Sequence, residues 1–267
     1  MSRGLLDDAT LTAISQQLPN LETLQGAVLR LSPDLIAAKL GPGSSIPTAA
    51  VCLQDTIHTL SDARYALHEA LAHEIWYLNK REVKSEMAAI FFSRFYVDDV
   101  ALRLYSAGEH LSEAIVALLE IKASDLEPHK KRKTSRQSIL GAYLSAKCSG
   151  HALTLEVVKL SNSIEWRDTI QYRNDCVHAQ PPLLKGLGVS YARKQRWKID
   201  NDGFYHLGIG EGDEPKYSVA DLLNIVKPSL FKFTDMVTVV VDYYIALLEQ
   251  KGISQNQAVQ RPSVTII

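Results

Sequence analysis

Apolar residues recur along this chain at the three- and four-residue intervals of an α-helix. Val97, Ala101, Leu104, Gly108, Leu111, Ile115 and Leu118 follow a 4-3-4-3 spacing, the stripe that a helix buries against a neighbour. A longer stripe, Val219, Leu223, Val226, Leu230, Phe233, Val237, Val240, Tyr244 and Leu247, predicts a second helix. Pro228 lies inside it and lacks a backbone donor, so a kink or a break is expected there. Leu53, Ile57, Leu60, Arg64, Leu67, Leu71 and Leu78 predict a third helix, from near Thr48 to Leu78. The Gly- and Pro-rich segment Leu40–Pro47 ahead of it reads as a loop, with Ser44 or Ser45 as the cap.

One region departs from the helical period. Arg196–Ile199, the turn Asp200-Asn-Asp-Gly203, and Phe204–Ile209 read as a β-hairpin. Gly186, Gly188, Gly210, Gly212 and Pro215 bracket it as an insertion between two helices. The pattern predicts an all-α bundle with one small β excursion. Its expected organisation is a helical extension over residues 1–80, a bundle over 84–251 with the hairpin at about 189–209, and a loose polar tail over 252–267. No internal repeat or low-complexity tract is visible.

Composition adds little until it is divided. The chain has 267 residues, 46% apolar and 22% charged, which is ordinary for a globular protein and argues against a disordered or fibrous one. Its formal charge is −1. Residues 1–128 are net −7 and residues 200–267 net −4, whereas residues 129–199 carry 14 basic and 4 acidic groups, net +10. An anionic partner is expected to meet the basic middle. Cys52, Cys148 and Cys176 are odd in number and lack C-x-x-C spacing, which argues against a disulfide scaffold or zinc ribbon and for a reducing, cytoplasmic setting. Asp7 and Asp8 fall where an export signal would need an apolar run, and the richest apolar stretch, Met236–Leu248, is too short to span a bilayer. No membrane association is expected.

The segment Ser161–Pro182 carries the candidate chemistry. Ser161 or Asn162 is expected to cap a helix in which Trp166, Ile170, Arg173 and Val177 share one face. Arg173 then lies in an apolar stripe and must snorkel, pair, or sit at an interface. Asn174 and His178 are four apart on the adjoining face. Pro181 and Pro182 should end the helix near His178, leaving an imidazole at a helix terminus.

Arg173-Asn174-Asp175-Cys176-Val177-His178 resembles the R-x(4–6)-H motif of HEPN domains, including the polar residue after the arginine. The position also resembles theirs: late in the third main helix of a four- to five-helix bundle, before the loop into the last long helix. The resemblance covers about Glu86 to Lys251 and leaves the first 80 or so residues outside the common core. It implies a homodimer in which two motifs face each other, and a metal-independent endoribonuclease without cofactor, of the kind found in toxin–antitoxin pairs and antiviral defence. An antitoxin or regulatory protein is then a possible partner. Other members are non-catalytic modules that bind RNA, a nucleotide or a protein.

The implied chemistry is attack of a ribose 2′-OH on the adjacent phosphate, leaving a 2′,3′-cyclic phosphate. His178 would transfer protons near neutral pH, Arg173 would hold the phosphate oxygens, and Asn174 would orient either of them. On the residues alone, an interfacial Arg173 paired to a carboxylate and a solvated His178 is the competing reading, and a helical structural protein with a coincidental motif is a third. Arg103 and His110 repeat the spacing in mid-helix, with Leu104 after the arginine, and resemble the family poorly.

Two further groups are RNA-binding candidates: Lys130, Lys131, Arg132, Lys133 and Arg136, and Arg193, Lys194, Arg196, Trp197 and Lys198, where bases would stack on the aromatic ring. The alternatives are a solvated loop and a packed tryptophan. No metal site is expected. His68-Glu69 and His73 have the wrong spacing for a zincin helix, and Asp98, Asp99, Glu109 and Glu113 read as a solvated flank. No Gly-rich loop has Walker or dinucleotide spacing.

Overall fold

The computed structural model of the chain describes residues 6–41, 43–79, 85–130, 135–178, 182, 184–186, 197–199, 202–203, 205–207 and 215–253. Among them the architecture is all-α. The helices are α1 (Asp8–Gln16), α2 (Glu22–Val28), α3 (Pro33–Leu40), α4 (Ile46–Asn79), α5 (Glu86–Leu118), α6 (Ala123–Leu126), α7 (Arg136–Lys147), α8 (Ala152–Asn162), α9 (Ile164–His178) and α10 (Val219–Gln250).

The two longest neighbours, α4 and α5, form an antiparallel hairpin fastened along its length. Ser85 N donates to Tyr77 O, Ser93 Oγ to Ala70 O at 2.9 Å, Arg103 Nη1 to Asp62 Oδ2 at 3.1 Å, and Ser45 Oγ to Ala117 O at 2.7 Å. Fully buried Ala49, Ala50, Ala63 and Ala70 on α4, with Ala107 and Ala114 on α5, keep the seam narrow, since side-chain size sets the interaxial distance. The whole Val97–Leu118 stripe is buried, and so is the α10 stripe from Val219 to Tyr244.

Helix α10 runs through Pro228 without interruption, so of the expected kink or break the break is not found. Packing of Val226, Leu230 and Phe233 holds the helix across the missing hydrogen bond. It starts in a capping box, in which Ser218 Oγ accepts from Asp221 N at 3.1 Å and Asp221 Oδ2 from Ser218 N at 2.8 Å. It stops at Gly252, whose φ of 73° suits glycine, and Ile253 behind it is buried. Gly252 and Ile253 thus belong to the helix stop rather than to the tail, and 254–267 lie outside the described residues.

Helices α1–α3 are held by polar residues of α4. Arg64, inside the apolar stripe, donates to Pro19 O at 2.7 Å and to Ser15 Oγ at 2.8 Å, and Gln54 Nε2 donates to Val28 O and Leu31 O at 3.2 and 2.9 Å. One contiguous core runs from Leu18 to Ile253 across residue 80. Trp197–Ile199 and Tyr205–Leu207 pair antiparallel, but most of residues 187–214, where the hairpin insertion is expected, lies outside the described residues. No described helix is long and apolar enough to cross a membrane.

Candidate functional site at the end of α9

Helix α9 is capped by Ser163, whose Oγ accepts from Trp166 N at 3.3 Å. Ser161 and Asn162, the caps expected from sequence, instead close α8, because the turn between the two helices is a single residue. The helix docks on α10 through stacked Trp166 and Phe233 rings 5.2 Å apart, a buried Thr169–Ser229 hydroxyl pair at 2.8 Å, and a Lys232–Glu165 ion pair. It ends at His178, ahead of Pro181 and Pro182.

Arg173 is half-buried. Its guanidinium lies over the Tyr105 ring of α5, 3.9 Å from the centroid, and Nη1 donates to Asn174 Oδ1 at 3.0 Å. A planar cation suits that stack, since it keeps its charge while covering an aromatic face. Val177, placed on the same stripe, is exposed. His178 closes the helix one turn after Asn174; its side chain lies outside the described residues.

Next to this pair, α9 is pinned to α5 by one carboxylate. Asp98 Oδ1 accepts from the Tyr172 hydroxyl and faces Cys176 Sγ at 3.9 Å, while Asp98 Oδ2 lies 3.6 Å from Arg94 Nε. Burial raises the Asp98 carboxyl above its ordinary value against the opposing pull of Tyr172 and Arg94. Burial, then the Asp98 charge, pushes the Cys176 thiol up to about 11 and the Tyr172 phenol far higher. This disfavours the thiolate, the nucleophilic form, at neutral pH. Asp98, expected on a solvated flank, is partly exposed there and also holds the buried Tyr172.

Glu109 and Glu113 also have structural work. Glu109 accepts from the backbone N of Arg136 and Gln137 at 3.0 and 3.3 Å, placing a carboxylate at the N-terminus of α7, and Glu113 pairs with Arg136. Of the first basic group, Lys130 is paired to Glu127 and Arg136 to Glu113, so both charges are partly satisfied locally. Lys131, Arg132, Lys133, Arg193, Lys194 and Arg196 lie outside the described residues, as do the side chains of Trp197 and Lys198. Both ends of the segment that carries the second group are fastened near α9. Leu184 bridges Tyr217, Lys185 N donates to Tyr217 O at 2.9 Å, and the Tyr217 ring meets Tyr172 edge-on at 5.8 Å.

Among the described residues, clefts at two places offer room for a ligand. One, of about 250 Å³, lies between α5, α7, α8, α9 and α10. Its floor is apolar, with Leu111, Ile115, Trp166 and Phe233, and its mouth carries Gln137, Ser138, Ser161, Arg167, Gln171 and Asn174. Tyr105 also lines it, so one ring supports Arg173 and walls the cleft. The other, of about 830 Å³, lies between α1, α2 and α4 and is lined by Asp8, Glu22 and Glu69 against Arg64 and His68, a surplus of acid that disfavours a phosphate ligand.

His68 and His73 flank the buried Glu69 at 3.8 and 3.7 Å; His73 stacks on Phe92 and Tyr96 in the core, while His68 faces the larger cleft. No described group of His, Cys, Asp and Glu is arranged to hold a metal ion. Arg103, the first residue of the second motif-like spacing, pairs with Asp62 and Asp99.

Comparison of the chain with family models, with curated proteins and with solved structures finds no match in any of the three.

Tyr105, Asp98 and Gln171 were not legible as site residues. The line Arg167, Gln171, Asn174, His178 has helical spacing and could have flagged Gln171; Tyr105 and Asp98 carry no local signal, because their partners come from α9.

Proposed function

We propose that the protein is a HEPN-type, metal-independent endoribonuclease, acting as a homodimer at Arg173, Asn174 and His178. The observation that carries this reading is the placement of the motif. Arg173 is held half-buried on Tyr105 and tied to Asn174 in the last turns of a helix that ends at His178. In the proposed reaction a ribose 2′-OH attacks the neighbouring phosphorus and the 5′-oxygen leaves. One imidazole takes the 2′-OH proton and the partner protomer's His178 protonates the leaving oxygen. Arg173 neutralises charge on the non-bridging oxygens. The helix C-terminus favours cationic side chains at this end of α9. Toxin or antiviral-defence action, with an antitoxin or regulatory partner, follows from the same reading.

The test is cleavage of cellular RNA by the full chain in EDTA, with end-group analysis of the products. Cyclic-phosphate ends are expected, and Arg173→Ala or His178→Ala should each lower the rate about 10²- to 10⁴-fold. Growth arrest on expression should be relieved by the same changes. Wild-type cleavage by either variant rejects the mechanism.

The stacking of Arg173 on Tyr105 also favours a second reading, since packed guanidinium is less free for phosphate. In it the domain binds RNA, a nucleotide or a protein without catalysis. RNA binding with no cleavage would select it.

A further inference from the structure

We propose that the 250 Å³ cleft beside Asn174 is a pocket for a single unpaired RNA base, which would give the site its base preference. The inference rests on the reading of the α9 end as an RNA-cleaving centre. Size is the first ground. A cavity of about 150 Å³ holds a benzene ring, so 250 Å³ admits one base with part of its ribose and excludes a base pair.

Polarity is the second ground. The floor offers apolar and aromatic surface for the faces of a planar ring, and the rim offers amides and hydroxyls for its edge. Two of the amides are fixed from behind. Gln137 Nε2 donates to Tyr105 O at 3.1 Å and Gln171 Nε2 to Asp175 Oδ1 at 2.7 Å, which sets the plane each amide presents. Gly108 makes room for the first, since a Cβ there would stand 2.3 Å from Gln137 Nε2.

Charge and place complete the case. Among the described residues the lining holds no carboxylate, and its cation there, the exposed Arg167, stands at the mouth, where a strand's phosphate would pass. Asn174 belongs both to the cleft and to the motif, so a base seated here lies beside the phosphate that Arg173 would engage. An apolar ligand would leave the rim amides unpaired.

The probes are fluorescein-labelled hexamers of A, C, G and U, titrated by anisotropy into the full chain and into Gln171→Leu and Ser161→Trp. Gln171 and Ser161 are both exposed, and circular dichroism checks the fold of each variant. The full chain is expected to favour one base by about tenfold, and each variant to bring the four within about twofold. Unchanged discrimination in both variants, or none in the full chain, overturns the proposal. Equal affinity for the matching nucleoside monophosphate also overturns it, in favour of a free nucleotide. Discrimination without cleavage rejects the nuclease reading and leaves the base pocket standing.

Discussion

Two side chains show how burial decides what a titratable group does here. Tyr172 is fully buried and its hydroxyl donates to Asp98, the contact that holds the second half of α9 on α5. Tyr172→Phe keeps the packing and deletes the donor, and should cost about 1–3 kcal/mol in urea unfolding. A neutral result would mean that Arg94, Cys176 and solvent satisfy the carboxylate without the phenol. His73 is buried among Tyr77, Phe92 and Tyr96, and desolvation lowers its pKa below the ordinary 6.5, against the pull of Glu69. The unfolded chain then binds the proton more tightly than the folded one. This part of the stability is complete above pH 6.5 and is lost as pH falls through the lowered value. His73→Phe, which retains a ring in the stack, should flatten unfolding free energy against pH over that window. An unchanged slope would assign the acid sensitivity to other groups.

At the scale of elements, the helices follow their stripes and the exceptions come from packing. Periodicity marks α4, α5 and α10, and the paired prolines mark the end of α9, because these signals are local. The continuity of α10 through Pro228 was not legible, since the penalty is local while the apolar contacts that outweigh it come from other helices. Pro228→Ala restores the N–H and relieves the clash with the preceding turn, and should stabilise the protein by about 1–3 kcal/mol, read as a higher urea midpoint with unchanged m. A fall in stability would show that the proline ring packs better than the helix costs. The cap of α9 was misplaced by one or two residues for a similar reason: Ser161, Asn162 and Ser163 are chemically alike, and only the ending of α8 selects among them.

At the scale of the molecule, charge is unevenly placed, and ion pairing changes what the basic segment can offer. Lys130 and Arg136 are tied to Glu127 and Glu113, so their neighbours Lys131, Arg132 and Lys133 should supply most of the phosphate contact of that group. Single-stranded RNA binding should weaken steeply with salt, and replacing those three by Ala should flatten the log–log slope by about 2. Lys130→Ala alone should barely alter it. Equal effects from both changes would show that the Lys130–Glu127 pair opens on binding.

The amino-acid sequence by itself determined the helical class, the main stripes, the helix-end position of Arg173-Asn174 and His178, and the basic middle. Each follows from neighbours within a few turns or from a sum over a segment. Only the tertiary structure decided that Tyr105 lies under Arg173, that Asp98 takes the Tyr172 proton donor, and that five helices leave a cleft beside Asn174. Those features depend on which helix faces meet, and helix packing brings together residues with no spacing relation to mark them.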